Sequence, residues 1–362
     1  MMINTPYLNR QNLLRQKMER DNLSAFLVTH LPNIRYLCGY TGSHALLILG
    51  RERCTIISDG RYQEQISKEV VGAEFILQGQ RRDSVATAET LKDYPSGKVG
   101  FESRHLSVAL HTTLTETCTD RDFVPLAECV EELRLTKEEN EIDSIRRALE
   151  IAERAFEQVL EDIREGMEER KLAHLLEDRM WREGAEKESF ETLVLFGART
   201  SLPHGKPGNT LLSRGDPILM DFGCAWEGYC SDLTRTVFLG DPGSEFRAAY
   251  RAVWESQNAA VQAIRPNVPC RDPDAKAREV LQKHGRGNQF IHSLGHGVGL
   301  EIHEIPRLSP TEERSLLEGM VITVEPGVYV PDWGGIRIEN MVVVRSDGAE
   351  VLNGSSTECI VL

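Results

Sequence analysis

The sequence predicts an α/β protein that is divided into two domains. Its 362 residues exceed the length that a single hydrophobic core usually serves. From about residue 13 to residue 125, strand-like segments alternate with polar helical segments, as in an α/β layer domain. Near Leu135 the pattern changes and leads into a long amphipathic helix. We therefore expect domains at residues 1–134 and 135–362.

The first domain is expected to contain a helix at about residues 11–20 followed by a series of strands. The expected strands are 25–29, 45–49, 54–58, 75–77, 98–101 and 123–125. The second and third of these are expected to form a hairpin. We find no cluster of metal-ligating residues in this half, and we interpret His30 and His44 as hydrogen-bonded structural or surface histidines.

The helices of the second domain are marked by their end signals. Thr136 and Glu139 form the pattern of a capping box at the start of the long helix. The later helices are expected at 168–183, 245–264 and 272–285. His174 is expected to pack against neighbouring helices, and Asp272 and Pro273 are expected to be an N-cap and the first helical residue.

The overall composition argues against several classes of partner. A formal net charge of −14 disfavours nucleic acid and anionic membrane surfaces. No apolar run is long enough to span a bilayer, and the N-terminus lacks the apolar core of a secretory signal. The eight cysteines are scattered without a CxxC pair, so we expect free thiols in a reducing cytoplasm.

A candidate metal site begins with two aspartates in the stretch DFGCAWEGYCSD, which runs from Asp221 to Asp232. The flanking apolar residues predict two strands joined by a short turn. With the turn centred on Trp226 and Glu227, Asp221 directly faces Asp232, at a Cβ separation of about 4.5–5.5 Å. A divalent cation would relieve the repulsion between two such carboxylates. Alternatively, both aspartates lie at solvated strand ends, and the hairpin alone does not decide between these interpretations.

A glycine-flanked histidine and two more acids follow near the C-terminus. His296 lies in GHGVGLEIHE, where its glycines permit close approach of the backbone to a ligand. Glu325 and Glu339 occupy strand positions that usually carry Val or Ile. Arg337 lies on the same strand face as Glu339 and is an alternative partner for that acid. Four carboxylates and one imidazole match two divalent cations, with Mn²⁺, Co²⁺, Fe²⁺ or Zn²⁺ as fitting ions, and such pairs serve hydrolysis of peptides or of phosphate esters.

Five segments carry a resemblance to a known family. MDFG, SDLTRT, GHGVGLEIHE, TVEPG and GGIRIEN resemble, in this order, the ligand motifs of the pita-bread metallopeptidases, which include methionine aminopeptidase, aminopeptidase P and prolidase. NIRYLCGYTGS and SDGRY are similar to the creatinase-like domain of the proline-specific members. The resemblance implies an N-terminal creatinase-like α/β domain and a C-terminal pita-bread α+β metallopeptidase domain. It also implies an Xaa-Pro dipeptidase (prolidase) or an Xaa-Pro aminopeptidase (aminopeptidase P), because methionine aminopeptidases lack the first domain.

The same resemblance assigns a role to each ligand. It makes Asp221 a ligand of one ion, and it makes Asp232 and Glu339 bridging ligands. His296 and Glu325 become ligands of the second ion, and Glu325 also becomes the proton shuttle. The resemblance favours Mn²⁺ or Co²⁺, short proline-containing peptides as substrates, and a homodimer.

Three further residues receive substrate roles from the resemblance. His204 and His303 would contact the substrate and stabilise the tetrahedral intermediate, and Arg337 would contribute positive charge to the wall of the site. The loop before His204 departs from the family pattern at Arg199 and Ser201.

Two other classes of protein share this fold, and a peptidase with a broader substrate range than Xaa-Pro is a third alternative. A creatinase-type C–N hydrolase and a non-catalytic peptidase-like binding module are both expected to have lost the acidic ligands, whereas this sequence retains them. His292 has no counterpart in a catalytic role, and we interpret it as structural.

Overall fold

The structure is a computed structural model that describes residues 6–362. It divides into two compact units, the first of which ends at Arg134, while the second spans Leu135–Leu362. Each unit has its own clusters of buried apolar residues. Within the described range, no helix has the length and apolar character needed to cross a membrane.

The first unit is built on one six-stranded sheet. Its strands are β1 (Ala25–Val28), β2 (Leu46–Gly50), β3 (Cys54–Ser58), β4 (Glu74–Leu77), β5 (Gly97–Glu102) and β6 (Arg121–Leu126). They lie in the order β4-β3-β2-β1-β5-β6, with antiparallel pairing at β1–β2 and β2–β3 and parallel pairing elsewhere. The predicted strands are confirmed, with ends that differ by one or two residues at most. Strands β1 and β2 are buried along their whole length because both are continuously apolar.

Helices surround this sheet. They are α1 (Pro6–Arg20), α2 (Leu31–Cys38), α3 (Gln63–Glu69), α4 (Asp83–Leu91), α5 (Val108–Thr117) and α6 (Glu131–Arg134). The two histidines singled out in this unit have structural contacts. His44 Nε2 lies 3.1 Å from Gln78 Oε1, and the ring of His30 stacks on that of His105 with centroids 3.7 Å apart.

The second unit places two pairs of helices against its strands. The helices are α7 (Glu139–Leu160), α8 (Glu169–Arg182), α9 (Gly243–Ala263) and α10 (Arg271–Lys283). Apolar residues of α7 and α8 share one buried cluster with the strands that follow them, and those of α9 and α10 share a second cluster with the C-terminal strands. The strands that carry the predicted site residues therefore lie between two apolar layers.

The predicted cap of α7 is wrong by two residues. Glu138 is the N-cap, and its backbone N–H donates to Glu141 Oε2 at 2.9 Å to form the capping box. Thr136 instead lies in extended backbone, where it forms an isolated antiparallel bridge with Met320. Pairing with a strand thus prevails over the local capping signal.

Two further predictions about helices are corrected by the structure. Cys270 is the N-cap of α10, so Asp272 lies inside the first turn, where its charge still favours the helix dipole. His174 does not pack against other helices. Its side chain is 77% exposed and contacts Glu177 at 3.2 Å on the solvent face of α8.

The strands of the second unit form several small sheets. They are β7 (Lys187–Glu188), β8 (Leu193–Phe196), β9 (Pro217–Phe222), β10 (Cys224–Trp226), β11 (Tyr229–Cys230), β12 (Leu233–Phe238), β13 (Gly295–Gly297), β14 (Glu304–Leu308), β15 (Val321–Val324), β16 (Gly327–Val330), β17 (Gly334–Arg337), β18 (Asn340–Arg345) and β19 (Gly348–Val351). The sheets have the orders β12-β9-β8, β14-β13-β15-β18-β19, β11-β10-β7 and β16-β17. Every predicted metal ligand lies in, or directly beside, one of these strands.

Candidate metal centre

The aspartate hairpin has a different register from the predicted one. Its turn residues are Glu227 and Gly228, whose φ angles are 47° and 76°. Positive φ at both central residues is the signature of a two-residue type I′ turn, which matches the twist of the flanking strands. As a result Asp221 faces Thr234, and not Asp232 as predicted.

The two aspartates nevertheless lie together, because the register differs from the prediction by two residues and the side-chain period of a strand is two. Asp232 lies two residues before Thr234 and is therefore a diagonal neighbour of Asp221 on the same face. Asp221, Asp232 and Glu339 each offer an oxygen, and these atoms all lie within 4.8 Å of one another.

Two oxygens of this cluster are buried without a hydrogen-bond donor. Glu339 Oε2 accepts a bond from Thr234 Oγ1 at 2.9 Å, whereas Glu339 Oε1 has no partner. Asp221 Oδ2 accepts a bond from Arg337 Nη2 at 2.5 Å, whereas Asp221 Oδ1 has none. Leaving a buried polar atom unpaired costs free energy, so these atoms mark the place where a cation fits.

The electrostatics of the cluster support the same conclusion. Burial, reinforced by the charges of Glu339 and Asp221, raises the pKa of Asp232 well above its ordinary value. Burial and the charge of Glu325 likewise raise the pKa of Glu339, and burial raises the pKa of Glu325 to about 7. These carboxylates repel one another, and the buried cation among them is Arg337. The donor set therefore fits divalent cations, which would offset that repulsion.

His296 presents a lone pair to the carboxylates. Its Nδ1 lies 3.0 Å from the carbonyl oxygen of Gly297, which can only accept, so we infer that Nδ1 carries the proton. Its Nε2 lies 3.5 Å from Asp232 Oδ2 and 3.4 Å from Glu325 Oε1. Burial and the neighbouring His303 lower the pKa of His296 to about 4. A neutral imidazole that is oriented through its other nitrogen is the usual form of a metal-ligating histidine.

The buried guanidinium of Arg337 forms three hydrogen bonds within the site. Its Nε donates to Thr234 Oγ1 at 3.0 Å, its Nη1 to Tyr329 Oη at 2.8 Å and its Nη2 to Asp221 Oδ2. The alternative in which Arg337 pairs directly with Glu339 does not hold, because the Thr234 hydroxyl lies between them. The side chain is 3% exposed, so Arg337 neutralises charge from inside the protein.

The two histidines with expected substrate roles lie at the exposed side of the cluster. The ring of His303 is 4.5 Å from that of His296, at an interplanar angle of 71°. His204 lies in the loop that follows the short turn Gly197–Ser201, and it is exposed. Burial, Arg307 and His204 lower the pKa of His303, which places His204 within electrostatic reach of His303.

His292 is held inside the protein as a structural residue. Its Nε2 lies 2.9 Å from Tyr329 Oη and its Nδ1 lies 2.7 Å from the carbonyl oxygen of Ser293. Burial lowers its pKa to about 4. His292 therefore stays neutral and extends the hydrogen-bond network of Tyr329 and Arg337.

Three residues of this site escaped the sequence analysis. Thr234 was recognisable in principle, since it shares a strand face with Asp232. Tyr329, which links His292 to Arg337, gives no local signal. Arg307 gives none either, although it pairs opposite His296 across β13 and β14, is exposed, and lowers the pKa of both His296 and His303.

Comparison with known proteins gives concordant results for sequence and structure. Metallopeptidase family M24 matches residues 143–346, and the Creatinase/Prolidase N-terminal domain matches residues 10–136. An Xaa-Pro dipeptidase of Pyrococcus furiosus is 35% identical over 345 residues, which cover 95% of this chain and 97% of that protein.

Two solved structures extend the comparison over nearly the whole chain. The structure of an Xaa-Pro dipeptidase from Bacillus anthracis has a TM-score of 0.94 and 36% identity, with 98% of this chain and 100% of that chain covered. The structure of an X-Pro aminopeptidase from Thermotoga maritima has a TM-score of 0.87 and 35% identity, with coverage of 96% and 100%.

These similarities confirm the predicted fold class, in which a creatinase-like α/β domain precedes a pita-bread α+β metallopeptidase domain. They also agree with the chemistry of the cluster, in which acidic residues and one neutral histidine face each other in a buried site. The chain belongs to metallopeptidase family M24.

Proposed function

We propose that this protein is a dinuclear-metal hydrolase that cleaves the peptide bond between an N-terminal residue and proline, with Xaa-Pro dipeptides as its preferred substrates. The observation that carries the proposal is the cluster of Asp221, Asp232 and Glu339, which contains two buried oxygens without donors. The names of the relatives support the proline specificity.

Five residues would hold two divalent ions. We assign Asp221 to one ion, His296 and Glu325 to the other, and Asp232 and Glu339 to a bridging position between them. An oxygen-rich set of this kind suits Mn²⁺ or Co²⁺, and Fe²⁺ or Zn²⁺ also fit. When bound, such ions polarise a carbonyl group and lower the pKa of a water molecule.

Other residues of the chain orient the five candidate ligands, and Glu325 would also transfer a proton during hydrolysis. Thr234 fixes Glu339 through its hydroxyl, and Arg337 fixes Asp221 through its guanidinium. Glu325 Oε1 accepts a bond from Thr323 Oγ1 at 3.2 Å, and its Oε2 lies 3.9 Å from Arg337 Nε. The proline nitrogen must gain a proton to leave as an amine, and we expect Glu325 to take that proton from the attacking water and to deliver it to the nitrogen.

His204 and His303 are the groups that we expect to touch the substrate. Both are exposed beside the buried acids, whereas Arg337 is already bonded on each of its nitrogens. As donors they would bind the oxygen that becomes negative when the scissile carbonyl is attacked. Arg337 would act behind them by holding Asp221 in place through its hydrogen bond.

The preference for dipeptides rests on Arg307. In an Xaa-Pro dipeptide the free carboxylate lies one residue beyond the scissile carbonyl, whereas a longer peptide presents a neutral amide at that point. The exposed guanidinium of Arg307, opposite His296, is a cation suited to bind that carboxylate. The second candidate is an Xaa-Pro aminopeptidase acting on longer peptides, because the Thermotoga maritima aminopeptidase is as similar in sequence as the dipeptidases are.

A peptide panel tests the proposal. Protein loaded with Mn²⁺ is assayed on Ala-Pro, Ala-Pro-Ala and Met-Ala-Ser, and we expect the largest kcat/KM with Ala-Pro and no turnover of Met-Ala-Ser. A tenfold preference for Ala-Pro-Ala would show that the protein is an Xaa-Pro aminopeptidase and not a dipeptidase. Absence of turnover on every Xaa-Pro substrate, with metal bound, would favour a non-catalytic binding module.

We also propose a homodimer in the cytoplasm. The dimer is inferred from the resemblance to the proline-specific members of the family. The location is inferred from the thiols, since all eight cysteines are free and seven of them are buried. Neither nucleic acid nor a membrane is expected as a partner, given the net charge of −14.

A further inference from the structure

The loop that carries His204 is attached to α8 by a buried carboxylate. Glu169 stands at the first position of that helix, and its side chain is 0% exposed. A glutamate is rarely buried to this extent unless it is paired. Glu169 is not one of the acids that we assign to the metal ions, so its burial requires another explanation.

Glu169 connects the two ends of the loop. Its Oε1 accepts a bond from the backbone N–H of Phe196 at 3.0 Å, just before the loop begins. Its Oε2 accepts a bond from the backbone N–H of Gly208 at 2.8 Å, four residues beyond His204. One carboxylate therefore fixes both points between which the chain leaves β8 and returns.

Arg199 joins the same carboxylate to the middle of the loop. Its Nε lies 3.0 Å and 3.1 Å from the two oxygens of Glu169. Its Nη2 donates to the carbonyl oxygen of Lys206 at 2.7 Å, two residues after His204. The segment on each side of His204 is thus tied to one ion pair.

Thr200 fixes the loop to the strand that ends in Arg337. Its hydroxyl accepts a bond from the backbone N–H of Gly335 in β17 at 2.7 Å, and Thr200 itself is fully buried. Its carbonyl oxygen would lie 2.3 Å from a Cβ atom at Gly335, so the loop and the strand are in backbone contact. The loop is therefore attached to β17, the strand that carries Arg337.

We propose that Glu169 and Arg199 are positioning residues for His204, which hold this exposed side chain at the distance from the metal centre that catalysis requires. The inference rests on the substrate-contacting role proposed for His204. Arg199 acts here through its bonds to Glu169 and to the carbonyl oxygen of Lys206. Neither residue is expected to touch the substrate.

The test is a double-mutant cycle with His204. The variants Glu169→Gln and Arg199→Met are each made in the wild-type and in the His204→Ala background, and kcat and KM are measured on Ala-Pro with the metal-loaded protein. We expect each single variant to lower kcat/KM at least tenfold, and we expect that loss to shrink to less than twofold when His204 is already alanine. The matched control is Lys206→Ala, which breaks the exposed pair Lys206–Glu191 on the same loop, and it should leave kcat/KM within twofold of wild type.

Two further measurements apply if one of these variants folds poorly. Arg199→Lys retains the charge but cannot bond both Glu169 and the Lys206 carbonyl in the same way. We therefore expect Arg199→Lys to lose kcat/KM, but to lose less of it than Arg199→Met does. Amide hydrogen exchange should accelerate at Phe196 and Gly208 in Glu169→Gln, with no acceleration in the strands of the metal centre.

The possible failures are distinguishable. If His204→Ala alone leaves turnover unchanged, the substrate role of His204 is wrong, whatever the exchange data show. If His204→Ala lowers turnover but Glu169→Gln and Arg199→Met do not, the positioning role is wrong and the proposed function stands. Losses that persist undiminished in the His204→Ala background would also overturn the positioning role, since they would show a general structural effect.

Discussion

At the scale of single residues, a neutral hydroxyl organises the charges of the site. Thr234 donates to Glu339 Oε2 and accepts from Arg337 Nε. The threonine therefore lies between the two residues that were expected, in the alternative prediction, to pair directly. This arrangement leaves Glu339 Oε1 unpaired and available to a cation. The sequence identified the charged residues, but it does not encode the order in which the hydrogen bonds connect them.

Arg307 gives the first prediction. Arg307→Met removes the exposed cation opposite His296 while keeping a side chain of similar length. A charge-assisted bond to the substrate carboxylate is worth about 1.5–3 kcal/mol, so kcat/KM for Ala-Pro should fall about tenfold or more.

The matched comparison uses Ala-Pro-Ala, which has an amide in place of that carboxylate. Its kcat/KM should change less than threefold in Arg307→Met. Equal losses for the dipeptide and the tripeptide would show that Arg307 does not bind the proline carboxylate.

His292 gives a prediction about acid stability. Burial lowers its pKa from 6.5 to about 4 in the folded protein, so between these pH values the unfolded chain binds more protons than the folded one does. The contribution of His292 to the free energy of unfolding should therefore fall by up to about 3 kcal/mol as the pH falls from 6.5 to 4, whereas the raised pKa values of the buried acids act in the opposite direction. The stability of wild type relative to that of His292→Gln should therefore fall over this range.

Urea titrations of the metal-free protein at several pH values measure this effect. His174→Gln is the control, because that side chain is 77% exposed and its replacement should leave the pH dependence as it is. Parallel pH profiles for wild type and His292→Gln would contradict the prediction.

At the scale of elements, one turn sets the spacing of the two aspartates. Gly228 occupies the second turn position with φ of 76°, a conformation that costs an L-residue about 1–2 kcal/mol. Gly228→Ala should lower the free energy of unfolding by about that amount. Gly354→Ala is the matched control, because its φ is not left-handed and its nearest neighbour, Glu153 Oε2, lies 3.5 Å from the added methyl group. Equal stability of the two variants would show that the turn is not strained by alanine.

The same turn explains which features were predictable. The existence of the hairpin follows from alternating apolar residues, and a side-chain period of two keeps Asp221 and Asp232 on one face in either register. The register itself depends on which two residues adopt positive φ. Glycine at position 228 favours Glu227–Gly228 over Trp226–Glu227, and the predicted register did not use that signal. The cap of α7 was missed for a related reason, since Thr136 is recruited by a strand partner far along the chain, Met320.

At the scale of the whole molecule, the division into two units follows from length and from the change of pattern near Leu135. The first unit places parallel and antiparallel strands in one sheet, and the second places its strands between two layers of helices. Contacts such as those of Tyr329 and Arg307 join residues from separate strands, and no local pattern encodes them. Sequence motifs therefore predict the candidate ligands of the site, whereas the fold shows which residues form hydrogen bonds with them.

Assembly is the prediction that belongs to this scale. A homodimer is expected, and sedimentation equilibrium at micromolar concentration should give twice the mass of one chain. A strictly monomeric protein with full activity would contradict it.

Hydrolysis of Xaa-Pro substrates is expected to depend on two divalent ions held by the acidic cluster. The most direct measurement removes metal with a chelator and then titrates Mn²⁺ while bound metal and Ala-Pro hydrolysis are recorded together. We expect no turnover in the stripped protein, a rise to a plateau at two bound equivalents, and at least a hundredfold lower plateau in Glu339→Gln, whose side chain would bridge both ions. Full turnover in the stripped protein, or a plateau in Glu339→Gln equal to that of wild type, would show that hydrolysis does not depend on two ions in this cluster.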